Sequence, residues 1–269
     1  MEVIDFKTGE RTVYMTLDEL NKIINALIGL YNITLEDNYL RDAFIFSFLF
    51  WTGVRVEELL LTQKKCVNLE ELTYKVPQLK KNYWKRELIS KLKKDFEKLS
   101  INEIYDKYEG VIKKETLEEI KELIENGSEK EAMKKLKLTP KERALLNLIK
   151  YVIIPLDHIP KEHFRIWELY FDEFNLNDND FLVNVSRRWL HEIIRKHSKE
   201  ILQKEYFPHA LRHSCAVYLH HNLNLDLMDV QAILRHSHLG HTERYARITL
   251  KDLKNKIKLM VGEHVQRHG

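Results

Sequence analysis

Hydrophobic positions in the first part of the chain follow two different patterns. From Leu20 to Leu30, leucine and isoleucine recur at helical spacing, and Thr16 followed by Glu19 has the form of a capping box that opens such a helix. The segment from Leu40 to Trp51 is nearly all apolar, which predicts a second helix that is buried on every side. Thr52-Gly53 interrupts this pattern, and helical spacing resumes beyond it.

The patterns between residues 72 and 143 predict a hairpin followed by helices. Two runs, from Leu72 to Leu79 and from Glu87 to Ser90, are separated by polar residues and predict a β-hairpin with a polar tip. From Lys91 to about Arg143 the chain is rich in Lys, Glu, Leu and Ile, which predicts a set of exposed helices inserted at about 91–143. The helix breakers in this segment are Gly110, Asn126-Gly127 and Pro140.

Helical periodicity returns in the last part of the chain, without an internal repeat or a low-complexity linker. We therefore predict a mainly α fold with a small antiparallel β-sheet (α+β), built as a single domain over residues 1–269. The predicted helices run from Leu145 to about Ile154, from Val185 to Ile201, from Ala210 to Leu223, from Met228 to Leu234 and from Leu250 to Val261.

Charge adds little until its distribution is considered. The 44 Lys and Arg against 41 Asp and Glu leave a formal net charge of +3, which is too small to indicate nucleic acid by itself. Local basic patches from Lys75 to Lys94 and from Arg187 to Lys199 suit phosphate groups. Either patch alone is explained equally well as a solvated face.

The cysteines and the lengths of the apolar runs narrow the cellular environment that the sequence predicts. Cys66 and Cys215 form no CxxC pair, which predicts neither a disulfide framework nor a four-thiolate zinc site. The most apolar run, Ala43 to Val54, is short of the roughly 18 residues that a membrane span needs, so we expect a soluble, cytoplasmic protein. Abundant Lys and Glu with scarce Gln are a bias of hyperthermophiles.

Three short motifs carry candidate chemistry. The segment from Trp51 to Leu59 reads WTGVRVEEL, in which Arg55 follows a helix-breaking glycine. The segments from Pro208 to Ser214 and from Leu234 to Tyr245 read PHALRHS and LRHSHLGHTERY. Each is weak alone, since an isolated arginine at such a place is also explained as a snorkelling surface residue.

Helical spacing groups the residues of the second motif. His209 and Arg212 stand three apart, so they are expected on one face of a helix. His209 and His213 stand four apart, as in a zinc protease helix, but that motif needs a glutamate where this chain has Ala210.

The order TGxRxxEL, HxLRH and LxHSx followed by a tyrosine resembles the catalytic domain of tyrosine recombinases, of the phage-integrase type, over roughly Thr16 to Leu259. In the third motif His236 precedes Tyr245 by nine positions. The resemblance implies a site-specific DNA recombinase or integrase that cleaves and rejoins DNA through a covalent 3′-phosphotyrosine. The catalytic residues that it implies are Arg55, His209, Arg212, His236 and the nucleophile Tyr245.

The resemblance also implies a catalytic lysine at a hairpin tip. Lys80 and Lys81 both fit, and Lys81 is favoured because it stands five residues before Arg86, as in the family. Implied partners are double-stranded DNA and further copies of the chain, as a tetramer on DNA, with no cofactor and no metal. The remaining residues expected to contact DNA are Lys80, Arg86, Arg187, Arg188 and Arg235.

Phosphoryl transfer explains why these residue types are needed together. Attack on a phosphodiester builds negative charge on the non-bridging oxygens, which the guanidiniums of Arg55 and Arg212 can stabilise while staying charged. A tyrosine hydroxyl with a pKa of about 10 must lose its proton as it attacks, and His209 suits the role of base. By resemblance, His236 donates to a phosphate oxygen and Lys81 protonates the departing 5′ hydroxyl.

The chain departs from the family pattern at several places. Arg235 stands where the family has glycine, so that it either contacts DNA or distorts the site, and the residues around Cys66 replace a frequent aspartate. The insertion lengthens the interval before the HxLRH motif, and the family's N-terminal DNA-clasping domain is expected to be absent. The predicted C-terminal helix, Leu250 to Val261, docks either in cis or on a neighbouring protomer.

The sequence leaves three alternative hypotheses about function open. The chain could be a non-catalytic DNA-binding relative of the recombinases, although it retains Tyr245. It could act mainly by relaxing DNA, as type IB topoisomerases do with the same chemistry. A metal-binding protein is the third alternative, built on His236, His238 and His241 with His220-His221.

Overall fold

The computed structural model of the protein describes residues 2–4, 11–78, 83–146, 148–235, 257–259 and 261. The chain divides into two compact units. The first unit combines Met1–Val76 with Ile153–Gly269, and the second unit is the continuous segment Pro77–Val152. Each unit has its own cluster of buried hydrophobic side chains. The predicted insertion at 91–143 lies within the second unit, which begins earlier, at Pro77.

The first unit begins with a short strand pair and a capped helix. Strands β1 (Glu2–Ile4) and β2 (Arg11–Val13) pair antiparallel. Helix α1 (Leu17–Thr34) starts at the predicted capping box. The Thr16 hydroxyl accepts a hydrogen bond from the backbone N–H of Glu19 at 3.3 Å, and the Glu19 carboxylate accepts one from the backbone N–H of Thr16 at 2.9 Å. The box is therefore confirmed.

Helix α2 (Asp37–Thr52) is the centre of the first unit and packs against α1. Its burial on every side, predicted from the apolar run, is confirmed, since every residue from Asp42 to Thr52 is buried. The helix ends at Gly53, which has the left-handed φ of 56°. The short helix α3 (Val56–Leu59) follows and begins at Arg55. This turn between two helices exposes Arg55 of the first candidate motif, while its neighbours Val54 and Val56 are buried.

A three-stranded sheet follows α3. Strand β3 (Val67–Asn68) pairs antiparallel with β4 (Thr73–Gln78), with Val67 opposite Tyr74. The third strand, β5 (Lys150–Pro155), lies on the other side of β4.

The second unit is helical. Its helices cluster apolar side chains into a separate core, whose members include Leu88, Leu117 and Ala132. The predicted breaks hold, because Gly110 and Asn126-Gly127 lie between helices and Pro140 begins one. The helices are α4 (Tyr83–Phe96), α5 (Ile101–Lys107), α6 (Lys114–Glu125), α7 (Glu129–Lys135) and α8 (Pro140–Leu145).

The predicted β-hairpin over residues 72–90 is wrong in its second half. Thr73–Gln78 is a strand, but Glu87 to Ser90 belongs to α4. Trp84, Leu88 and Leu92 recur every four residues and are all buried in the core of the second unit, so helical packing decided the segment. The predicted tip, with Lys80 and Lys81, lies outside the described residues.

The chain returns to the first unit through β5, so the helix predicted from Leu145 to about Ile154 is also wrong. A short apolar run fits a buried helix and a buried strand equally well by pattern, and pairing within the sheet decides for a strand here. The predicted helices near 185–201, 210–223 and 228–234 are confirmed, the middle one ending in π-helical turns at Tyr218–Asn222. The helices are α9 (Lys161–Glu173), which was not predicted, α10 (Arg187–Leu202), α11 (Pro208–Val217) and α12 (Leu227–Leu234).

The fold class is confirmed as mainly α with a small antiparallel sheet. Of the predicted C-terminal helix, only 257–259 and 261 are described, and they are helical. Ile257 is buried in the core of the first unit. Among the described residues, no helix is long and apolar enough to cross a membrane. Cys66 and Cys215 are both buried, and neither forms a disulfide within the described part of the chain.

Candidate active site

A cleft of about 260 Å³ in the first unit collects residues from two of the three candidate motifs. It is formed by the turn between α2 and α3 and by the first turns of α10 and α11. Three segments that are distant in sequence therefore meet at one place. The lining residues are Val54, Arg55, Val56, Glu57, Arg187, His191, Pro208, His209 and Arg212.

Arg55 enters the cleft from the N-terminus of α3. The backbone N–H of Arg55 donates a hydrogen bond to the carboxylate of Glu58 at 2.8 Å, and Nη1 of Arg55 donates a second one at 3.1 Å. The Arg55 side chain nevertheless keeps 44% of its surface exposed. Its guanidinium is thus held by a carboxylate on one side and open to solvent on the other.

Arg212 is buried behind the cleft, with 3% of its surface exposed. Its Nη1 donates to the carbonyl oxygen of Gly53, and its Nη2 donates to the carbonyl oxygen of Leu234 at 2.5 Å. Burial, together with the nearby charges of Arg55 and Arg235, lowers the pKa of Arg212 to about 10. The guanidinium stays cationic at neutral pH and is fixed in position before any ligand arrives.

Gly53 is needed for this arrangement because of both its backbone and its missing side chain. Its φ of 56° is strained for residues with a Cβ atom, and a Cβ there would lie 2.3 Å from Cδ2 of Leu234. The close approach of α12 to this turn lets Arg212 reach both carbonyl oxygens.

His209 lies on α11 one turn before Arg212, as the spacing predicted. Its side chain stays partly exposed, and partial burial followed by the charges of Arg212 and Arg55 lowers the pKa of His209. The neutral imidazole, which can accept a proton, is therefore favoured. The ring of His213 meets it edge to face, with centroids 4.5 Å apart.

Glu58 had no predicted role in the site. The structure pairs it with Arg235. The Arg235 side chain is only 7% exposed, and its Nη2 donates to Oε2 of Glu58 at 2.8 Å. Expected at DNA or as a distortion of the site, Arg235 instead points inward as the C-cap of α12, with the left-handed φ of 56°. That conformation costs a residue with a Cβ about 1–2 kcal/mol, which explains why glycine fits this position well. A glutamate three residues after Arg55, inside an apolar motif, was the available signal for Glu58.

The other candidate residues divide between the cleft, the second unit and undescribed parts of the chain. Arg187 lines the cleft and pairs with Glu57 at 2.7 Å, while Arg188 is exposed beside it on α10. Arg86 is exposed on α4 of the second unit. The candidates outside the described residues are Lys80, Lys81, His236 and Tyr245.

The charges around the cleft favour an anion. Four guanidiniums lie in or directly behind it, against two carboxylates, those of Glu57 and Glu58. An excess of two formal positive charges in a partly desolvated cleft favours binding of a phosphate or another anionic group. The residues described hold no group of three histidine, cysteine or acidic side chains that could bind a metal ion. The guanidiniums are those of Arg55, Arg187, Arg212 and Arg235.

Residues 171–251 match the family model described as the phage integrase family. The matched segment is less than a third of the chain and contains His209, Arg212 and Tyr245, whereas Arg55 lies outside it. Tyrosine recombinase XerC of Bifidobacterium longum strain DJO10A is 35% identical over 72 residues, which are 27% of this chain and 20% of that protein. XerC of B. longum subsp. infantis strain ATCC 15697 has the same identity and coverage. The matched region therefore spans about a fifth of the length of these relatives.

Solved structures similar to this chain include two recombinases. The crystal structure of XerA recombinase is 20% identical, with a TM-score of 0.49 over 97% of this chain and 68% of that one. The XerH site-specific recombinase bound to difH substrate is 15% identical, with a TM-score of 0.45 over 90% of this chain and 53% of that one.

Proposed function

We propose that the chain is a tyrosine-type site-specific DNA recombinase, which cleaves and rejoins DNA through a covalent 3′-phosphotyrosine. The observation that carries this proposal is the convergence of Arg55, Arg212 and His209 on one electropositive cleft. The match of residues 171–251 to the phage integrase family supports it. Double-stranded DNA is the proposed substrate, and copies of the chain assembled on it, as a tetramer, are the proposed partners.

The two arginines have complementary parts in the proposed reaction. Arg212 is buried and held by two carbonyl oxygens, so it offers a fixed positive charge at the back of the cleft. Arg55 is more exposed and can turn from Glu58 toward an entering phosphate. Both stabilise the negative charge that grows on the non-bridging oxygens, which is the main task of the protein in phosphoryl transfer.

Proton transfer completes the proposed step. His209, kept neutral by its lowered pKa, accepts the proton as the oxygen of Tyr245 bonds to phosphorus. The bond from phosphorus to the 5′ oxygen breaks, and Lys81 supplies the proton that makes a 5′ hydroxyl. His236 donates to a phosphate oxygen. Attack by a 5′ hydroxyl of a second strand reverses the step and frees Tyr245.

Covalent trapping on nicked DNA tests the reaction. A nick just beyond the cleavage point releases the leaving strand, so the adduct cannot be reversed. Because the target sequence is unidentified, the substrate is a pool of nicked duplexes with randomised sequence. We expect a protease-sensitive adduct with wild type and with Tyr151→Phe, a matched control on β5, and no adduct with Tyr245→Phe.

The outcomes separate the proposal from its alternatives. If wild type retards the DNA pool in a gel but forms no adduct, the non-catalytic DNA-binding reading replaces the recombinase. If an adduct forms equally with Tyr245→Phe, another nucleophile is responsible and the proposed mechanism is wrong. If supercoiled plasmid is relaxed and no strands are exchanged between duplexes, the activity is of the DNA-relaxing type IB kind.

A further inference from the structure

A buried arginine beside the cleft has no part in the reaction proposed above. Arg235 ends α12, and only 7% of its side chain is exposed. Its Nη1 donates to the carbonyl oxygen of Ile233 at 3.1 Å, and its Nη2 donates to Oε2 of Glu58 at 2.8 Å. A guanidinium placed this way cannot serve as a surface contact for DNA.

The partner of Arg235 is also the partner of Arg55. Oε1 of Glu58 accepts from Nη1 of Arg55 at 3.1 Å, and Oε2 accepts from the backbone N–H of Arg55 at 2.8 Å. The Glu58 side chain is 6% exposed, so its charge is little screened by water. One buried carboxylate is thus shared between an accessible guanidinium and a buried one.

Sharing changes how tightly Arg55 is held. Without Arg235, the buried negative charge of Glu58 would be balanced by Arg55 alone, and drawing Arg55 toward a phosphate would leave that charge unpaired. Leaving a buried charge unpaired is costly. With Arg235 in place, Glu58 stays paired when the Arg55 side chain turns away.

We propose that Arg235 is a positioning residue for Arg55: it neutralises Glu58 and thereby leaves the Arg55 guanidinium available to the scissile phosphate. This inference rests on the proposed recombinase function.

Epistasis between the arginines provides the test. Single-turnover adduct formation on the nicked duplex pool is measured at saturating protein for wild type, Arg235→Met, Arg55→Gln and the double variant. We expect Arg235→Met to lower the rate at least about tenfold. The double variant should react no more slowly than Arg55→Gln, because Arg235 acts through Arg55. A multiplied loss in the double variant would mean that Arg235 contributes independently, and the proposal would be wrong.

Neutralising Glu58 gives the decisive rescue. If Arg235 is needed because Glu58 is charged, then Arg235→Met combined with Glu58→Gln should recover most of the rate lost in Arg235→Met. Arg235→Lys, which keeps the positive charge, should retain more activity than Arg235→Met. Absence of both recoveries overturns the proposal, as does an unchanged rate in Arg235→Met.

Two controls keep the test decidable. Arg235→Gly removes the side chain and relieves the left-handed backbone, so it supplies the same comparison if Arg235→Met does not fold. Arg165→Met, exposed on α9 and outside the cleft, should react as wild type does. A wild type that forms no adduct refutes the proposed function itself, whereas an active wild type with equally active Arg235 variants refutes this inference alone.

Discussion

Arg212 donates a hydrogen bond to the carbonyl oxygen of Gly53, which joins α11 to the turn that precedes Arg55. The same guanidinium donates to Leu234 at the end of α12. One buried side chain therefore holds together three segments that are far apart in sequence. The position of the first candidate arginine depends on the second, so a change at either should affect both.

Replacement of Gly53 by alanine should destabilise the first unit. The new Cβ would meet Leu234 at 2.3 Å, and the left-handed backbone would be strained. We expect the free energy of unfolding to fall by about 2 kcal/mol or more, measured by urea unfolding. Gly29→Ala is the control, because Gly29 is within α1 and nothing lies within 4 Å of its new Cβ. The Gly29→Ala variant should be stabilised by roughly 0.5–1 kcal/mol. A Gly53→Ala variant as stable as wild type would contradict the close packing of Leu234 against Gly53.

Arg212→Lys should impair the chemistry although it keeps the charge. A lysine ammonium cannot reproduce the fork that reaches both Gly53 and Leu234 while facing a phosphate. We expect adduct formation on nicked DNA to slow by about 10²–10³-fold. Arg165→Lys, on the exposed face of α9, should react at the wild-type rate. A rate for Arg212→Lys within about threefold of wild type would show that charge alone suffices.

The pKa of His209 should depend on Arg55. Partial burial, then the positive charges of Arg212 and Arg55, disfavours the imidazolium and lowers this pKa. Titration of the ring by NMR should therefore give a midpoint below the ordinary value of about 6.5. In Arg55→Gln the midpoint should move upward, because one repelling charge is gone. An unchanged midpoint in that variant would remove Arg55 from the electrostatics of His209.

Acid should destabilise the protein through buried His163. Burial lowers its pKa to about 4, and its Nδ1 lies 3.1 Å from the Ser47 hydroxyl. The unfolded chain takes up this proton below about pH 6.5, whereas the folded chain does so only near its lowered pKa. Stability is therefore complete above about pH 6.5 and is lost as pH falls toward 4, by up to about 3 kcal/mol from this group.

Urea unfolding at neutral and acid pH checks this loss. His163→Asn should be less stable at neutral pH and should lose less stability on acidification than wild type does. His221→Asn, at an exposed position, should follow the wild-type pH dependence. Equal acid sensitivity in wild type and His163→Asn would exclude His163 as a source of the effect.

The core of the second unit should lose stability when Leu88 is replaced by alanine. Leu88 is fully buried on α4, and its replacement by alanine leaves a cavity that costs about 2–5 kcal/mol. Amide hydrogen exchange in the second unit should accelerate accordingly. Ser90→Ala, exposed on the same helix, should leave exchange unchanged. Wild-type protection in Leu88→Ala would mean that the side chain is not part of a tight core.

Local signals in the sequence determined several features correctly. The capping box at Thr16, the helix end at Gly53 and the shared face of His209 and Arg212 each depend on residues a few positions apart. Their physics is complete within one or two helical turns, so a pattern suffices to predict them. The same is true of α2, whose unbroken apolar sequence leaves it no exposed face.

Tertiary contacts decided what the patterns left open. Residues 87–90 form a helix because Leu88 packs into the core of the second unit. Residues 150–155 form a strand because they pair with β4 in the three-stranded sheet. The ion pair of Arg235 with Glu58 joins positions 177 residues apart. Which cation is buried and which stays accessible depends on packing between such distant segments, so the sequence names the candidate arginines and the tertiary structure sets the surroundings of each.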